Sequence, residues 1–234
     1  MGEITTAMVL AAGLGTRIRQ LDPDTPKPLI KVRGQALIDY ALDTLLRGGV
    51  GRAVVNVHHK ADQLEGHLRG RTDVEILISD ERGERLETGG GIVKALPLLG
   101  SAPFFCTNTD SILLEGDHAA TDVLKDRWDD DTDALLLLAQ VDQASGYEGA
   151  GDFALAGDGA ILPKEEGEAF IFTGLQILRP ELFAGATLEP VSTRAFWAKA
   201  QERGRFRGAV YDGGWMHVGD PNGHAQAEER LAAR

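Results

Sequence analysis

The stretch AMVLAAGLGTR, residues 7–17, joins an uninterrupted apolar run to a turn rich in glycine. Residues 7–12 have the composition of a β-strand buried on both faces, which is typical of a parallel sheet. A glycine-rich turn directly after such a strand presents backbone N–H groups at the carboxyl edge of the sheet, where open α/β sheets bind phosphate. The stretch therefore predicts an α/β protein with a phosphate-binding loop after its first strand.

Short apolar runs alternate with segments of helical periodicity as far as residue 141. This alternation is typical of a mainly parallel sheet with helices on both faces. After residue 141, glycine-rich pieces of strand predict a small antiparallel insertion. We therefore expect the α/β class, with a Rossmann-like, mixed, mainly parallel sheet flanked by helices, in one domain that spans residues 1–234. The predicted strands after the first are residues 52–57, 74–79, 103–107 and 134–141.

The composition excludes several classes of protein. With 24 basic and 36 acidic residues, the formal net charge is −12, so the chain repels a phosphate backbone and we expect no nucleic-acid partner. The single cysteine, Cys106, cannot form an internal disulfide or build a cysteine zinc site. No run approaches the roughly 20 apolar residues of a membrane helix, and residues 1–6 are too short and polar to be expected as a signal peptide. We therefore expect a cytoplasmic protein that does not bind a membrane.

Two cations follow the glycine-rich turn. The turn is not a Walker A loop, because no Gly-Lys-Ser/Thr follows, and Ile18 stands where a dinucleotide fingerprint has its third glycine. Gly13 and Gly15 permit close approach of the backbone to a ligand, and Arg17 has the forked geometry that matches phosphate oxygens. Lys27 has a proline on each side, which favours an extended chain and a fixed direction for its ammonium group.

The chain resembles the sugar-1-phosphate nucleotidyltransferases. Their signature pairs a Gly-x-Gly-Thr-Arg loop with a Pro-Lys-Pro segment, present here as GLGTR (13–17) and PKP (26–28). The resemblance continues through LETGGGI (86–92), NTD (108–110), FTG (172–174) and WMHVG (215–219). It implies the nucleotidyltransferase fold, which is like that of glycosyltransferase-A enzymes. It also implies nucleotidyl transfer from a nucleoside triphosphate to a sugar 1-phosphate, with release of pyrophosphate.

Within that family, the chain is most similar to the short N-acetylmuramate-1-phosphate uridylyltransferases of cell-wall recycling. These enzymes also carry the LETGGG motif. This resemblance implies UTP and N-acetylmuramate 1-phosphate as partners. We expect a monomer or small homo-oligomer. Guanylyl or cytidylyl transfer to mannose or heptose 1-phosphate, or to a phosphorylated alcohol, stays open as an alternative. A nucleotide-sugar sensor without catalytic activity is a third alternative, which the intact Arg17, Lys27 and Asp110 disfavour.

The resemblance also implies a role for the residues of each motif. Arg17 and Lys27 are the expected catalytic residues. Arg17 is expected to hold the β- and γ-phosphates, and the Lys27 ammonium is expected to bridge the α-phosphate and the sugar phosphate. Asp152, Thr173 and Gly174 are expected to bind the sugar phosphate, although their pattern alone is also typical of strand ends. The residues expected to bind the nucleotide are Ala11, Ala12, Gly13, Gly15, Thr16, Arg17, Lys27, Glu87, Gly89, Gly90 and Asn108.

A metal site is the last expectation. Asp110 follows an apolar strand, so its carboxylate leaves the sheet near the glycine-rich turn, where Mg²⁺ prefers carboxylate and phosphate oxygens. The family has a second carboxylate in a Trp-x-Asp-x-Gly motif, but His217 stands in that place here. Three arrangements stay open: Asp220 supplies the oxygen directly, His217 binds through a metal-held water, or Asp110 and the phosphates hold the ion alone. We expect His217 to take part, and Mn²⁺ to be accepted besides Mg²⁺, because manganese accepts imidazole more readily.

Overall fold

The computed structural model describes residues 2–233. Its strands are β1 (Thr6–Leu10), β2 (Lys31–Val32), β3 (Gln35–Ala36), β4 (Arg52–Val57), β5 (Glu75–Asp80), β6 (Phe104–Asn108), β7 (Ser111–Leu113), β8 (Ala134–Gln140), β9 (Ala144–Ser145), β10 (Phe153–Leu155), β11 (Ile161–Pro163), β12 (Phe170–Leu178), β13 (Phe206–Tyr211) and β14 (Trp215–His217). Its α-helices are α1 (Leu37–Arg47), α2 (Ala61–Leu68), α3 (Glu87–Leu99), α4 (Ala120–Arg127), α5 (Arg194–Glu202) and α6 (Pro221–Ala232).

A nine-stranded mixed sheet forms the centre of the fold. β5, β4, β1 and β6 are neighbours in that order and run parallel. β12 pairs antiparallel with β6 and with β8, and β13 runs parallel to β8. The β10–β11 hairpin pairs with the start of β12. The prediction of a mixed, mainly parallel sheet is confirmed, but its antiparallel part is more than an insertion, because β12 lies inside the sheet.

Helices cover both faces of this sheet because successive side chains of a strand point to opposite faces. Val9 belongs to the core that packs α1, α2 and α4 against one face. Met8, the preceding residue, belongs to the core that packs α3 and α5 against the other face. Of the helices within residues 2–233, none combines the length and the apolar character needed to cross a membrane.

A smaller sheet brings two distant segments together beside the end of β6. β14 pairs antiparallel with β7, with His217 opposite Ser111, and parallel with β9. The N–H of Val218 donates to the carbonyl oxygen of Asp110 at 2.7 Å. This small sheet therefore places His217 next to Asp110, although the two residues are far apart in the sequence.

Candidate active site

A buried amide and carboxylate fix the beginning of the glycine-rich turn. The side-chain oxygen of Asn56 accepts hydrogen bonds from the N–H groups of Ala11 at 2.6 Å and Ala12 at 3.2 Å. The Asn56 amide donates to Oε1 of Glu81 at 2.8 Å, and Glu81 is fully buried. Ala11 and Ala12 thus lie at the predicted place, but their N–H groups already have a partner inside the protein.

The N–H groups further along the turn are free to bind an anion. Within the described chain, those of residues 13–16 donate no hydrogen bond to another residue. Gly15 has a φ of +60°, and a Cβ atom at this position would lie 2.6 Å from Cβ of Lys27. Only glycine adopts this conformation without strain and lets the turn pack on the lysine. The turn and Lys27 therefore form one packed unit.

We expect Gly15→Ala to destabilise the protein by about 1–2 kcal/mol, because both the left-handed backbone and the close Lys27 contact oppose a Cβ atom. For a chain of this size, that corresponds to a fall in Tm of roughly 2–8 °C. Gly13→Ala in the same turn is the matched control, since nothing lies within 4 Å of a Cβ atom there. Thermal unfolding of both variants measures the difference, and equal Tm values would contradict this packing.

Lys27 and Asp110 form an ion pair at the centre of the site. Nζ of Lys27 lies 2.7 Å from Oδ2 of Asp110, and the two side chains are only 13% and 23% exposed. The expectation of an extended chain around Lys27 is wrong: Lys27–Leu29 is a single 3-10 turn that begins after Pro26. The fixed φ of proline is compatible with the start of a helical turn, and the turn buries the stem of Lys27 under Gly15.

The surroundings of this pair favour a charged carboxylate beside a neutral imidazole. Burial opposes the charged form of Asp110, but the charge and hydrogen bond of the Lys27 ammonium, together with His217, hold the pKa of Asp110 below its usual value. Burial lowers the pKa of His217, although the Asp110 carboxylate acts in the opposite direction. At neutral pH the site therefore presents one anionic oxygen donor atom and one uncharged imidazole.

Two cavities meet at Asn108 and Asp110. The first cavity has a volume of about 390 Å³ and the second a volume of about 170 Å³. The exposed Arg17 lies outside both linings. The first cavity is lined by Ala12, Gly13, Asn56, Arg85, Glu87 and Thr88, among others. The second is lined by Tyr147, Asp152, Phe172, Gly174 and His217, among others.

The glycine run 89–91 is buried inside the protein and does not line the first cavity. α3 begins at Glu87 and contains the run. The N–H groups of Gly89 and Gly90 both donate to the carbonyl oxygen of Val191, at 2.8 and 3.0 Å. The predicted nucleotide contacts of Gly89 and Gly90 are therefore not supported, because these backbones are buried and bonded elsewhere. Glu87 and Thr88 are the residues of this motif that face the cavity.

Two of the three predicted sugar-phosphate residues face the second cavity. Oδ2 of Asp152 accepts a hydrogen bond from the Phe172 N–H at 3.0 Å, which orients its carboxylate. Gly174 has a φ of +93° and lies against the Asn108 side chain. Thr173 is instead fully buried, and its hydroxyl donates to the Leu137 carbonyl at 2.9 Å. The predicted contact of Thr173 is thus not supported, because its side chain stabilises the irregular part of β12.

His217 lines the second cavity, whereas Asp220 caps a helix. The imidazole stacks on the Trp215 ring with the centroids 5.9 Å apart. Gly219 leaves room for this ring, since a Cβ atom there would collide with Nε2 of His217. Oδ1 of Asp220 accepts a hydrogen bond from the Gly223 N–H at 2.9 Å, at the start of α6. The alternative of Asp220 as the metal ligand is therefore disfavoured, because its carboxylate satisfies the helix terminus.

We expect Asp220→Ala to lower stability by about 1 kcal/mol, the usual effect of losing an N-cap, and to leave the half-saturating Mg²⁺ concentration unchanged. His217→Ala is expected to raise that concentration if the imidazole beside Asp110 helps to hold the ion, as the sequence predicts. Thermal unfolding and metal titration of both variants separate the two roles. A large shift in Mg²⁺ dependence in Asp220→Ala alone would assign the ligand to that carboxylate.

Asn56 is a residue of the site that the sequence motifs do not identify, and Glu81 is buried where the sequence is equally compatible with a solvated charge. Asn56 is a polar residue within an otherwise apolar strand, and a buried amide requires hydrogen-bond partners. That signal identifies Asn56 as unusual, but it does not identify the backbone groups of Ala11 and Ala12 as its partners. Nothing in the local sequence indicates that Glu81 is buried.

Comparison with known proteins identifies the family. The family model of the MobA-like NTP transferase domain matches residues 7–173. The chain belongs to this family. The match contains the glycine-rich turn, Lys27 and Asp110, and it ends before His217. The predicted nucleotidyltransferase is thereby confirmed at the level of the family.

Relatives of known name cover almost the whole chain. The N-acetylmuramate alpha-1-phosphate uridylyltransferase of Caulobacter vibrioides is 46% identical over 97% of this chain and 96% of its own length. The protein of the same name from Neisseria meningitidis serogroup B is 36% identical over 91% of this chain and 92% of its own length. The resemblance to short uridylyltransferases, read from the motifs, is confirmed by these identities.

A solved structure shares the fold. The inositol-1-phosphate CTP transferase from T. maritima superposes with a TM-score of 0.79 over 97% of this chain and 98% of that chain, at 20% identity. At that identity the likeness concerns the fold alone. It confirms the predicted nucleotidyltransferase architecture of this MobA-like NTP transferase.

Proposed function

We propose that the protein transfers the uridylyl group of UTP to N-acetylmuramate 1-phosphate, with UDP-N-acetylmuramate and pyrophosphate as products. The observation that carries the chemistry is the Lys27–Asp110 pair, 2.7 Å apart, at the junction of two cavities. The 46% identity to a uridylyltransferase supports the choice of substrates. A sugar-phosphate oxygen attacks the α-phosphorus directly, so the protein acts by positioning the reactants and neutralising charge.

In this proposal, the first cavity binds the nucleoside triphosphate. The free N–H groups of residues 13–16 donate to phosphate oxygens at the carboxyl edge of the sheet. Arg17, exposed on the same turn, binds the β- and γ-phosphates, which become pyrophosphate. The base lies toward Asn56 and Thr88, which line the first cavity but not the second.

Lys27 neutralises the reacting phosphates. A lysine ammonium has three donors, so Nζ can keep its hydrogen bond to Asp110 and still donate to an oxygen of the α-phosphate and to one of the sugar phosphate. The short 3-10 turn and the packing under Gly15 hold the stem of Lys27. Little side-chain entropy is therefore lost when the ammonium binds the substrates.

The donors at the junction fit a divalent cation that is bound mainly by substrate oxygens. No cluster of three or more His, Cys, Asp or Glu side chains within residues 2–233 encloses a metal position. Oδ2 of Asp110 is bonded to Lys27, which leaves Oδ1 for an ion, with His217 in the adjoining wall. Mg²⁺ suits this incomplete set, because it takes one or two carboxylates and completes its shell with phosphates and water; Mn²⁺ is the expected substitute. When bound, such an ion supplies positive charge to the phosphate oxygens.

The second cavity binds the sugar 1-phosphate in this proposal. Asn108 and Asp110 join it to the first cavity, so a sugar phosphate there reaches the α-phosphate. The Asp152 carboxylate, oriented by the Phe172 N–H, accepts hydrogen bonds from sugar hydroxyl groups. Gly174 lets the sugar approach the backbone of β12, because it has no side chain in the way.

The proposed substrates also suggest where the reaction takes place. We infer a cytoplasmic location and a role in the recycling of cell-wall sugars, because UTP is the proposed donor and the proposed acceptor is a cell-wall sugar.

Burial raises the pKa of the Cys106 thiol to about 12, although a hydrogen bond with Gln176 acts the other way. That cysteine is a core residue and has no place in the proposed reaction.

Pyrophosphate release with a panel of substrates tests the proposed function. Four nucleoside triphosphates are combined with the 1-phosphates of N-acetylmuramate, N-acetylglucosamine, mannose and heptose. We expect UTP with N-acetylmuramate 1-phosphate to give a kcat/KM about tenfold or more above every other pair. An equal kcat/KM with GTP would favour the guanylyl alternative. Absence of pyrophosphate with all pairs would favour a sensor without catalytic activity.

A further inference from the structure

A third cavity, of about 530 Å³, lies between the β10–β11 hairpin and α5. It shares Asp152 with the second cavity, so the two are adjacent. We propose that the third cavity binds the carboxylate-bearing substituent of the sugar, with Arg194 as the partner of that carboxylate. The inference rests on the proposed function, because N-acetylmuramate differs from N-acetylglucosamine by an ether-linked lactyl group that ends in a carboxylate.

The second cavity is electrostatically unfavourable for such a group. Its walls contain the carboxylates of Asp110 and Asp152, and none of the described residues that line it is a lysine or an arginine. Lys27 neutralises Asp110, but the proposed reaction uses its remaining donors for phosphate. A third carboxylate placed beside these groups would meet like charge at short range. The lactyl group is therefore expected to turn away from the phosphates and past Asp152.

Arg194 lines the third cavity beyond Asp152, and within the described part of the chain this cation has no ion-pair partner. It is the first residue of α5 and exposed, and no carboxylate in the described part of the chain forms a salt bridge with it. Its Cζ lies 6.0 Å from the centroid of the Trp197 ring, a cation–π distance. A guanidinium held over an aromatic face still presents its fork of N–H donors, which matches a carboxylate in a bidentate manner.

Trp197 connects Arg194 to the sugar site as a rigid wall. Its Nε1 donates to Oε1 of the buried Gln176 at 2.9 Å. Its ring packs edge-on against Phe172 with centroids 5.0 Å apart, and Phe172 lines the second cavity. The ring also packs on Phe153 and Phe206, at 6.0 and 5.8 Å. These rings give the third cavity an apolar floor that suits the methyl group of a lactyl ether.

Lys164 is the other cation of the third cavity, and its surroundings make it the weaker partner. It lies in the 3-10 turn Lys164–Glu166, so two glutamates follow it directly in the chain. Glu165 also lines the cavity. Neither glutamate forms a salt bridge with Lys164 within residues 2–233, but carboxylates one and two residues away in the chain make its surroundings more negative and repel an incoming anion. No acidic residue flanks Arg194 in the sequence, which is why Arg194 is assigned as the partner of the lactyl carboxylate.

Steady-state kinetics with two matched sugars tests this assignment. N-acetylmuramate 1-phosphate and N-acetylglucosamine 1-phosphate, each with saturating UTP, are compared in the wild type, Arg194→Ala, Arg194→Lys and Lys164→Ala. Lys199→Ala is the control, because Lys199 is also an exposed cation of α5 but lies over Phe196, away from the third cavity. The readout is the ratio of the two kcat/KM values, which cancels general effects of a variant on folding or on UTP binding.

We expect Arg194→Ala to lower kcat/KM for N-acetylmuramate 1-phosphate about ten- to thirtyfold, the usual effect of losing a hydrogen bond to a charged group. The value for N-acetylglucosamine 1-phosphate should stay within about twofold, and Arg194→Lys should restore part of the loss. Equal losses for both sugars, or a change of ratio in Lys164→Ala but not in Arg194→Ala, would overturn the assignment while the proposed function stands. No turnover of N-acetylmuramate 1-phosphate by the wild type would overturn both.

Discussion

Replacing Lys27 by alanine is expected to lower kcat about 100- to 1000-fold, equivalent to roughly 3–4 kcal/mol of transition-state stabilisation. Among the residues that line the first cavity, Lys27 is the cation that contacts Asp110. In the proposed reaction, Lys27 also neutralises both reacting phosphates. The loss should appear in kcat with saturating UTP and sugar phosphate. A kcat within threefold of the wild type would remove Lys27 from the reaction.

The control for this prediction is Lys31→Ala, which removes an exposed lysine four residues further along the chain. It changes the net charge equally but leaves the ion pair intact, so its kcat should equal that of the wild type. Lys27→Ala should also lower the Tm by roughly 2–6 °C, because Asp110 loses its partner in a largely buried position. Kinetics are therefore measured well below the Tm of the variant.

Asp110→Asn is expected to lower kcat by about three orders of magnitude and to raise the half-saturating Mg²⁺ concentration at least about tenfold. The amide keeps the size of the side chain but removes the negative charge that balances Lys27 and attracts a divalent cation. Asp126→Asn in α4 is the matched control, since Asp126 is exposed. An unchanged Mg²⁺ dependence in Asp110→Asn would show that the metal binds elsewhere.

The sheet was predictable where strands are apolar on both faces. Residues 52–57, 103–107 and 134–141 were expected as strands, and they correspond to β4, β6 and β8. Such runs are visible because burial on both faces removes polar residues. The central position of β12 was not predictable, because the order of strands depends on pairing between distant segments. The three-residue strand β14 is too short to leave a pattern.

The motifs located the site but not the contacts within it. Lys27 and Asp110 were both expected at the site, but their ion pair joins residues 83 apart in sequence, and no local pattern encodes that distance. The buried packing of Gly89 and Gly90, which the motif predicts as nucleotide contacts, was not predictable for a related reason. A glycine required for close packing in a helix looks the same in the sequence as a glycine that lets a ligand approach. The segment 189–192, which packs against both glycines in the structure, distinguishes the two.

The fate of the individual phosphates of UTP distinguishes nucleotidyl transfer from other phosphoryl chemistry. The protein is incubated with N-acetylmuramate 1-phosphate and Mg²⁺, using UTP labelled with ³²P at the α-position in one reaction and at the γ-position in another. If the sugar phosphate attacks the α-phosphorus beside Lys27 and Asp110, the α-label is found in UDP-N-acetylmuramate and the γ-label in pyrophosphate. Label from the γ-position in the sugar product, or as orthophosphate, would contradict nucleotidyl transfer.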